Sequence, residues 1–353
     1  MKLMFSAAEI PERQRGLTFD DVLLVPNHSE ISSRRTPDLS TQATKNFRIN
    51  LPLISSNMDT ITGKEMALAM AKAGALGILH RFMSLEDQLL QVRELHREQN
   101  ALGLKTPIAA SIGVKEDGKA RAQALVEAGV QILTIDIAHG DSVMMMETLE
   151  YVKTKFPHIQ VIAGNVATAQ GVRRLIDNGA DAVKVGIGPG SMCTTRIITG
   201  CGMPQLTSIA LCAIEAHRSS VPVIADGGLK NSGDIMKALA AGADSVMLGS
   251  MLSGALETPG EVKSGMKVYR GMASKDAQVS WRGELPKGMA AEGVATIIPC
   301  KGPVEYLVEE MSGGIRSGMT YINALNIEQI AQRALFMEMS FSGMVESRPH
   351  GLK

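Results

Sequence analysis

Of the four cysteines in this chain, Cys193 stands in a run whose residue types could do chemistry, GIGPGSMCTT at 186–195. Glycines let a backbone turn tightly and approach a ligand closely. Gly188, Gly190 and Ser191 would hold the thiol facing a bound substrate rather than a core. Thr194 and Thr195 follow directly, and a proton-handling group beside a thiol is what nucleophilic catalysis requires. The alternative is a small buried apolar side chain, the common fate of a free cysteine. The surrounding glycines favour a nucleophile. A helix starting just after the turn would favour the thiolate.

Elements must position such a turn. Eight short apolar runs cross the chain: LPLISS (51–56), LGILH (76–80), IAASIGV (108–114), ILTIDI (132–137), VIAGNV (161–166), AVKVGI (182–187), PVIADGG (222–228) and SVMLGS (245–250). Each is rich in Val, Ile and Leu without alternation, as strands buried on both faces should be. Helical patterns separate them. The first is read over 62–73, opened by a Thr62-x-x-Glu65 capping box and continued by Met66, Ala69, Met70 and Ala73 at helical spacing. A stop recurs at Gly74, Gly129, Gly179 and Gly242, each followed by a strand; glycine is the favoured residue there because it accepts the left-handed conformation. Eight parallel strands with crossover helices predict a (β/α)₈ barrel of the α/β class, with an open doubly wound sheet as the alternative.

Active sites of such barrels lie at the C-terminal strand ends. Ser55, Asn57, His80, Asp136, Asn165, Cys193, Asp226, Gly249 and Ser250 collect there. The glycine-rich ends of the last two strands, Asp226-Gly227-Gly228 and Gly249-Ser250, suit a phosphate held by backbone N–H groups. Residues 256–303 break the pattern, and a loop that long is expected to be a flap or binding segment. It carries Glu292, a carboxylate able to reach the cysteine. Helical patterns resume at 303–311 and 326–338, and the tail from Glu346 is expected to be unstructured or docked on a neighbour.

Composition narrows the class. Lys plus Arg and Asp plus Glu both number 36 in 353 residues, so no basic excess exists to neutralise a nucleic acid. No apolar run reaches the length of a membrane span. Cys193, Cys201, Cys212 and Cys300 have no zinc-type spacing. No signal-peptide pattern is read, so free thiols in a reducing cytoplasm are expected.

The chain resembles the IMP dehydrogenase/GMP reductase family over nearly its whole length. The matching segments are LTFDDVLLVP (17–26), SSNMDT (55–60), AGNVAT (163–168), KVGIGPGSMCTTR (184–196), ADGG (225–228), ALAAGADSVMLGS (238–250) and YRGMAS (269–274). The resemblance implies a (β/α)₈ barrel binding a purine nucleotide and a nicotinamide cofactor, and a homotetramer. It implies that Cys193 attacks carbon 2 of the purine while Thr195 and Glu292 move protons. Ser191, Gly228, Gly249, Ser250 and Tyr269 correspond to phosphate contacts, and Asp226 to the acid on the ribose hydroxyls. Met58, Gly271 and Met272 correspond to purine contacts, and Asp136 and Asn165 to cofactor contacts. The carbonyls of Gly188, Gly190 and Cys193 correspond to a monovalent cation site for K⁺, with Glu346 of a second copy contributing.

Family members differ in activity. Dehydrogenases usually insert a pair of CBS domains after the second strand; here Met83-Ser84 runs straight into a helix. The expectation is one catalytic domain over 1–353 with a flap at about 256–303. Dehydrogenases carry an Arg-Tyr pair in the flap to activate water, where this chain has Trp281-Arg282. Asn57, the HRF at 80–82 and Thr320-Tyr321 resemble the reductases. Met289-Ala290-Ala291 and the tail Glu346-Ser347-Arg348-Pro349-His350 lean toward the dehydrogenases. The reading is an NADPH-dependent GMP reductase that converts GMP to IMP and ammonia in purine salvage. The alternative is an NAD-dependent IMP dehydrogenase without CBS domains, with Arg282 as the local candidate for water activation. A nucleotide-binding barrel without catalysis is the reading from outside the enzymes.

Overall fold

The computed structural model describes residues 3–284, 288, 290–349 and 351, apart from the side chains of Glu116 and Arg282. Eight parallel strands close a barrel: β1 (Leu53–Ser55), β2 (Leu76–Leu79), β3 (Ala109–Ile112), β4 (Ile132–Asp136), β5 (Gln160–Val166), β6 (Ala182–Val185), β7 (Val223–Asp226) and β8 (Ser245–Leu248). Closure is made by β8 on β1, with Val246 opposite Leu53 and Leu248 opposite Ser55. An open sheet is therefore excluded. All eight expected runs are strands.

Helices α1 (Lys64–Lys72), α2 (Leu85–Ala101), α3 (Glu116–Glu127), α4 (Val143–Lys155), α5 (Ala169–Asp177), α6 (Gln205–His217), α7 (Ser232–Ala240) and α8 (Val304–Tyr321) follow the strands in turn. The glycine stops at 74, 129, 179 and 242 all have positive φ, between 80° and 106°. The capping box at Thr62 does not form. Gly63 is the residue before α1, and the Thr62 hydroxyl turns inward to the Ser55 hydroxyl (2.8 Å) and the Ser56 carbonyl (2.7 Å). The buried end of β1 needs that hydroxyl more than the solvated helix start does. Residues 80–84 alone join β2 to α2.

Period two in the strands builds the barrel interior. Ile54, Ile78, Ile132, Ile162, Ala182, Ile224 and Met247 form its apolar layer, closed from below by Ala43 and Ile49. Those two belong to a hairpin, Thr41–Thr44 with Phe47–Ile49. The hairpin is tied to the strand starts by Lys45 N–H to Asp181 O (3.0 Å) and the Thr41 hydroxyl to Asp244 O (2.8 Å). Further along three of the strands the same interior rows continue as Lys184 and Asp226, two residues on from Ala182 and Ile224 respectively, and Asp136, four residues on from Ile132. The core is apolar below and charged at the top.

The segment 256–303 is more ordered than a loop. Strands Met266–Arg270 and Ala295–Pro299 pair antiparallel, and a helix spans Lys275–Arg282 between them. The pattern at 326–338 divides into a helix, Ile327–Arg333, and a strand, Phe336–Glu338. That strand pairs with Met4–Phe5 and Val22–Leu24, so alternation for a sheet had been read as a helical turn. The pattern at 303–311 extends through α8 to Tyr321.

Candidate active site

Cys193 sits in the connection after β6. Its backbone N–H donates to Gly190 O at 3.0 Å, closing the turn around the thiol. The helix expected after it is only Thr195–Thr199, too short for a substantial dipole. Side chains, by contrast, are bonded to the thiol directly. The Cys193 thiol donates to Thr195 Oγ1 at 3.1 Å, and the Thr195 hydroxyl donates to Glu292 Oε2 at 2.8 Å. A thiol, a hydroxyl and a carboxylate thus form one hydrogen-bonded chain, its last bond joining residues 97 apart in sequence.

Backbone bonds place the carboxylate. Thr194 N–H donates to Glu292 O, Val294 N–H to Met192 O and Glu292 N–H to Ala273 O, each at 3.0 Å. The flap is stitched onto the cysteine turn like a short extra strand. Gly271 lies so close that a Cβ there would meet Met192 O at 2.9 Å. On the far side, Arg270 pairs with Asp59 after β1, Nε donating to Oδ2 at 3.1 Å, so the flap base is held at both ends.

The residues of this chain singled out for catalysis, nucleotide, cofactor and cation, Glu346 excepted, line one cleft of about 370 Å³. Met58, Ser191, Gly228, Gly249, Ser250, Tyr269, Gly271 and Met272 belong to it, as do Asp136, Asn165, Asp226, Gly188 and Gly190. Glu346 does not; it ends an exposed helix, Phe341–Glu346. Near β8 the Tyr269 hydroxyl lies 3.1 Å from the Ser191 hydroxyl, and a Cβ on Gly249 would meet Tyr269 Oη at 3.3 Å. Hydroxyls and bare backbone meet there, a surface suited to an anion. Burial raises the Tyr269 phenol further above its ordinary range, so it acts as a neutral hydrogen-bonding group.

Lys184 organises the cleft floor, and the apolar appearance of AVKVGI concealed it. Its ammonium, buried at 2% exposure, donates to Asp226 Oδ2 at 2.6 Å, contacts Asp136 Oδ1 at 2.8 Å and also bonds Asn165 Oδ1. Asn165 Nδ2 reaches Asp226 Oδ2 at 2.9 Å, and Asn57 Nδ2 reaches Asp136 Oδ2 at 2.8 Å. Burial alone would lower the ammonium, but Asp136 and Asp226 outweigh it and raise it. Burial likewise pushes Asp136 up, yet Lys184 and Asn57 hold it below the usual carboxylate range. The signal available in sequence was one lysine inside an otherwise apolar strand. Arg81, Phe82, Gln278 and Trp281 also line the cleft without having been assigned to it. The Arg282 side chain and Met289 lie outside the described residues.

The chain is thus a parallel eight-stranded barrel with a bonded cysteine, threonine and glutamate over a charged floor at its strand ends. The sequence matches the IMP dehydrogenase / GMP reductase domain over residues 16–350, and the chain belongs to that family. It is 41% identical to the inosine-5'-monophosphate dehydrogenase of Cryptosporidium parvum, covering 96% of each chain. It is 32% identical to the GMP reductase of Leishmania donovani, covering 99% of each. A GMP reductase structure from Trypanosoma brucei, in complex with guanosine 5'-monophosphate, superimposes with TM-score 0.91 at 32% identity. That match covers 98% of this chain and 100% of the other.

Proposed function

We propose that this chain is a GMP reductase of one catalytic domain, reducing GMP to IMP and ammonia with NADPH. The observation that carries the reading is the Cys193–Thr195–Glu292 relay, joined to flap chemistry that lacks a water-activating pair. The flap contributes Tyr269, Gly271, Met272, Ala273, Gln278, Trp281 and Glu292 to the cleft. Among the described side chains no arginine of the flap is with them. The identity to dehydrogenases favours the alternative, NAD-dependent oxidation of IMP to XMP.

In the reductive reading, the thiol proton passes through Thr195 to Glu292 and frees the thiolate. Sulfur bonds to carbon 2 of the purine. Glu292 returns the proton through Thr195 to the departing amino group, which leaves as ammonia. The cofactor supplies the hydride that carbon 2 then accepts, and the carbon–sulfur bond breaks to restore the thiolate. Charge is balanced: one proton and one hydride enter, and ammonia leaves. Asp226 accepts from the ribose hydroxyls. Ser191, Gly228, Gly249, Ser250 and Tyr269 hold the phosphate, while Met58, Gly271 and Met272 pack on the purine.

The half of the cleft near β2 and β4 fits a nicotinamide dinucleotide. Phe82 and Trp281 supply flat apolar surface, with ring centroids 5.7 Å apart, and Asp136 and Asn165 supply polar groups. The turn fits a monovalent cation such as K⁺: Gly188, Gly190 and Cys193 would offer carbonyl oxygens, the donors hard cations prefer. No cluster of His, Cys, Asp and Glu among the described residues could hold a transition metal. No helix there is long and apolar enough to cross a membrane. We place the enzyme in the cytoplasm as a homotetramer. Absorbance of the reduced cofactor decides the activity: loss with GMP and NADPH is expected, and gain with IMP and NAD overturns the assignment.

A further inference from the structure

The flap helix Lys275–Arg282 overhangs the cofactor half of the cleft. Trp281 meets Phe82 edge-on, and the Arg81 guanidinium lies 4.6 Å from the Phe82 centroid and 6.0 Å from that of Trp281. Gln278, three residues earlier, shares this face of the helix. Both line the cleft. Gln278 Nε2 donates to Met272 O at 2.8 Å, which fixes the amide: turned over, its oxygen would face a carbonyl oxygen. The consequence is that Gln278 Oε1 is buried and accepts from no group among the described residues. Leaving such a buried acceptor unmade is unfavourable. Neither the Cys193 relay nor the Lys184 cluster uses it.

We propose that Gln278 Oε1 accepts a hydrogen bond from the carboxamide NH₂ of the nicotinamide ring, making Gln278 a specificity-determining residue of the cofactor half. The assignment rests on the cleft taking a nicotinamide dinucleotide and is independent of which reaction follows. An acceptor with no hydrogen to give selects a donor, which excludes phosphate and carboxylate groups as its partner. The neighbouring aromatic and guanidinium wall suits a flat ring bearing that donor. The purine 2-amino group of GMP is the competing donor, and the experiment separates the two.

Trp281 is the single tryptophan of the chain, and its emission should be quenched by energy transfer to a bound reduced dinucleotide. Titrations compare NADPH with its reduced 3-acetylpyridine analogue, in which methyl replaces the carboxamide NH₂. The native protein should bind the analogue about fivefold more weakly, the worth of one neutral hydrogen bond. Gln278→Met should bind both equally. Equal affinities in the native protein overturn the proposal even where a variant fails to fold. So does a preference undiminished in Gln278→Met, or a loss of GMP over IMP affinity in that variant with the dinucleotide ratio unchanged. Absence of quenching by any reduced dinucleotide overturns the cofactor reading itself.

Discussion

At the scale of the residue, function divides between groups that react and groups that hold them. Under the proposed reaction Thr195 belongs to the first kind: among the described residues it bridges thiol and carboxylate (3.1 and 2.8 Å). Thr195→Val keeps the shape and removes the hydroxyl, so kcat should fall about 10²–10⁴-fold, the usual worth of positioned proton transfer. Nucleotide affinity, measured by titration, should change little. Lys184 holds. Lys184→Met leaves Asp136 and Asp226 facing each other without a cation, which should cost about 3–5 kcal/mol in denaturant unfolding. It should also weaken nucleotide binding, because Asp226 loses its support. Cys193 was legible because glycines and hydroxyls surround it in sequence. Lys184 was not, because a strand reading weighs the four apolar neighbours in AVKVGI and discounts the one charge among them. Its partners come from β4, β5 and β7, which only the closed barrel brings together.

Elements set where those residues stand. Helices α1, α3, α5 and α7 are each followed by a glycine of positive φ that reverses the chain, Gly74, Gly129, Gly179 and Gly242. Gly186 shows how closely backbones approach at the strand ends: its φ is +152° and a Cβ would fall 2.0 Å from Asp226 O. The strand–helix alternation was readable because both periods are strong. The flap was not, because its two paired strands are separated in sequence by the helix Lys275–Arg282, so no tight-turn signal joins them. At the lower end of the barrel, α6 finishes on His217, whose Nε2 lies 2.9 Å from Asp244 Oδ2. The hydrogen bond to Asp244 raises the imidazole above its ordinary range despite partial burial. A raised folded value stabilises fully below the unfolded value near 6.5 and is lost as pH rises through the folded one. His217→Ala should therefore lower the melting temperature more at about pH 6 than at about pH 8. A gap that does not narrow with rising pH would show that the ring acts by packing alone.

For the whole molecule, equal numbers of acidic and basic residues leave little net field, so individual buried groups set the response to pH. Among the described histidines, His80 is the strongest case. It closes β2 at the top of the barrel, buried at 6% exposure, with Phe82 N–H donating to its Nδ1 at 3.2 Å. That bond needs the unprotonated nitrogen. Burial pushes the imidazole down to about 4; Asp59 opposes the shift, and Arg121 and Arg270 reinforce it. The sign is opposite to that of His217. Between the unfolded value of 6.5 and the folded value near 4, the unfolded chain binds the extra proton, so stability falls as pH falls. The loss should approach about 3 kcal/mol at the lower limit. His80→Gln keeps an acceptor for Phe82 N–H and removes the titration. Urea unfolding at a series of pH values should give a shallower acid slope for the variant by that amount. Parallel slopes would mean that His80 takes up its proton in the folded barrel, and that acid sensitivity originates in the paired carboxylates of the cleft floor.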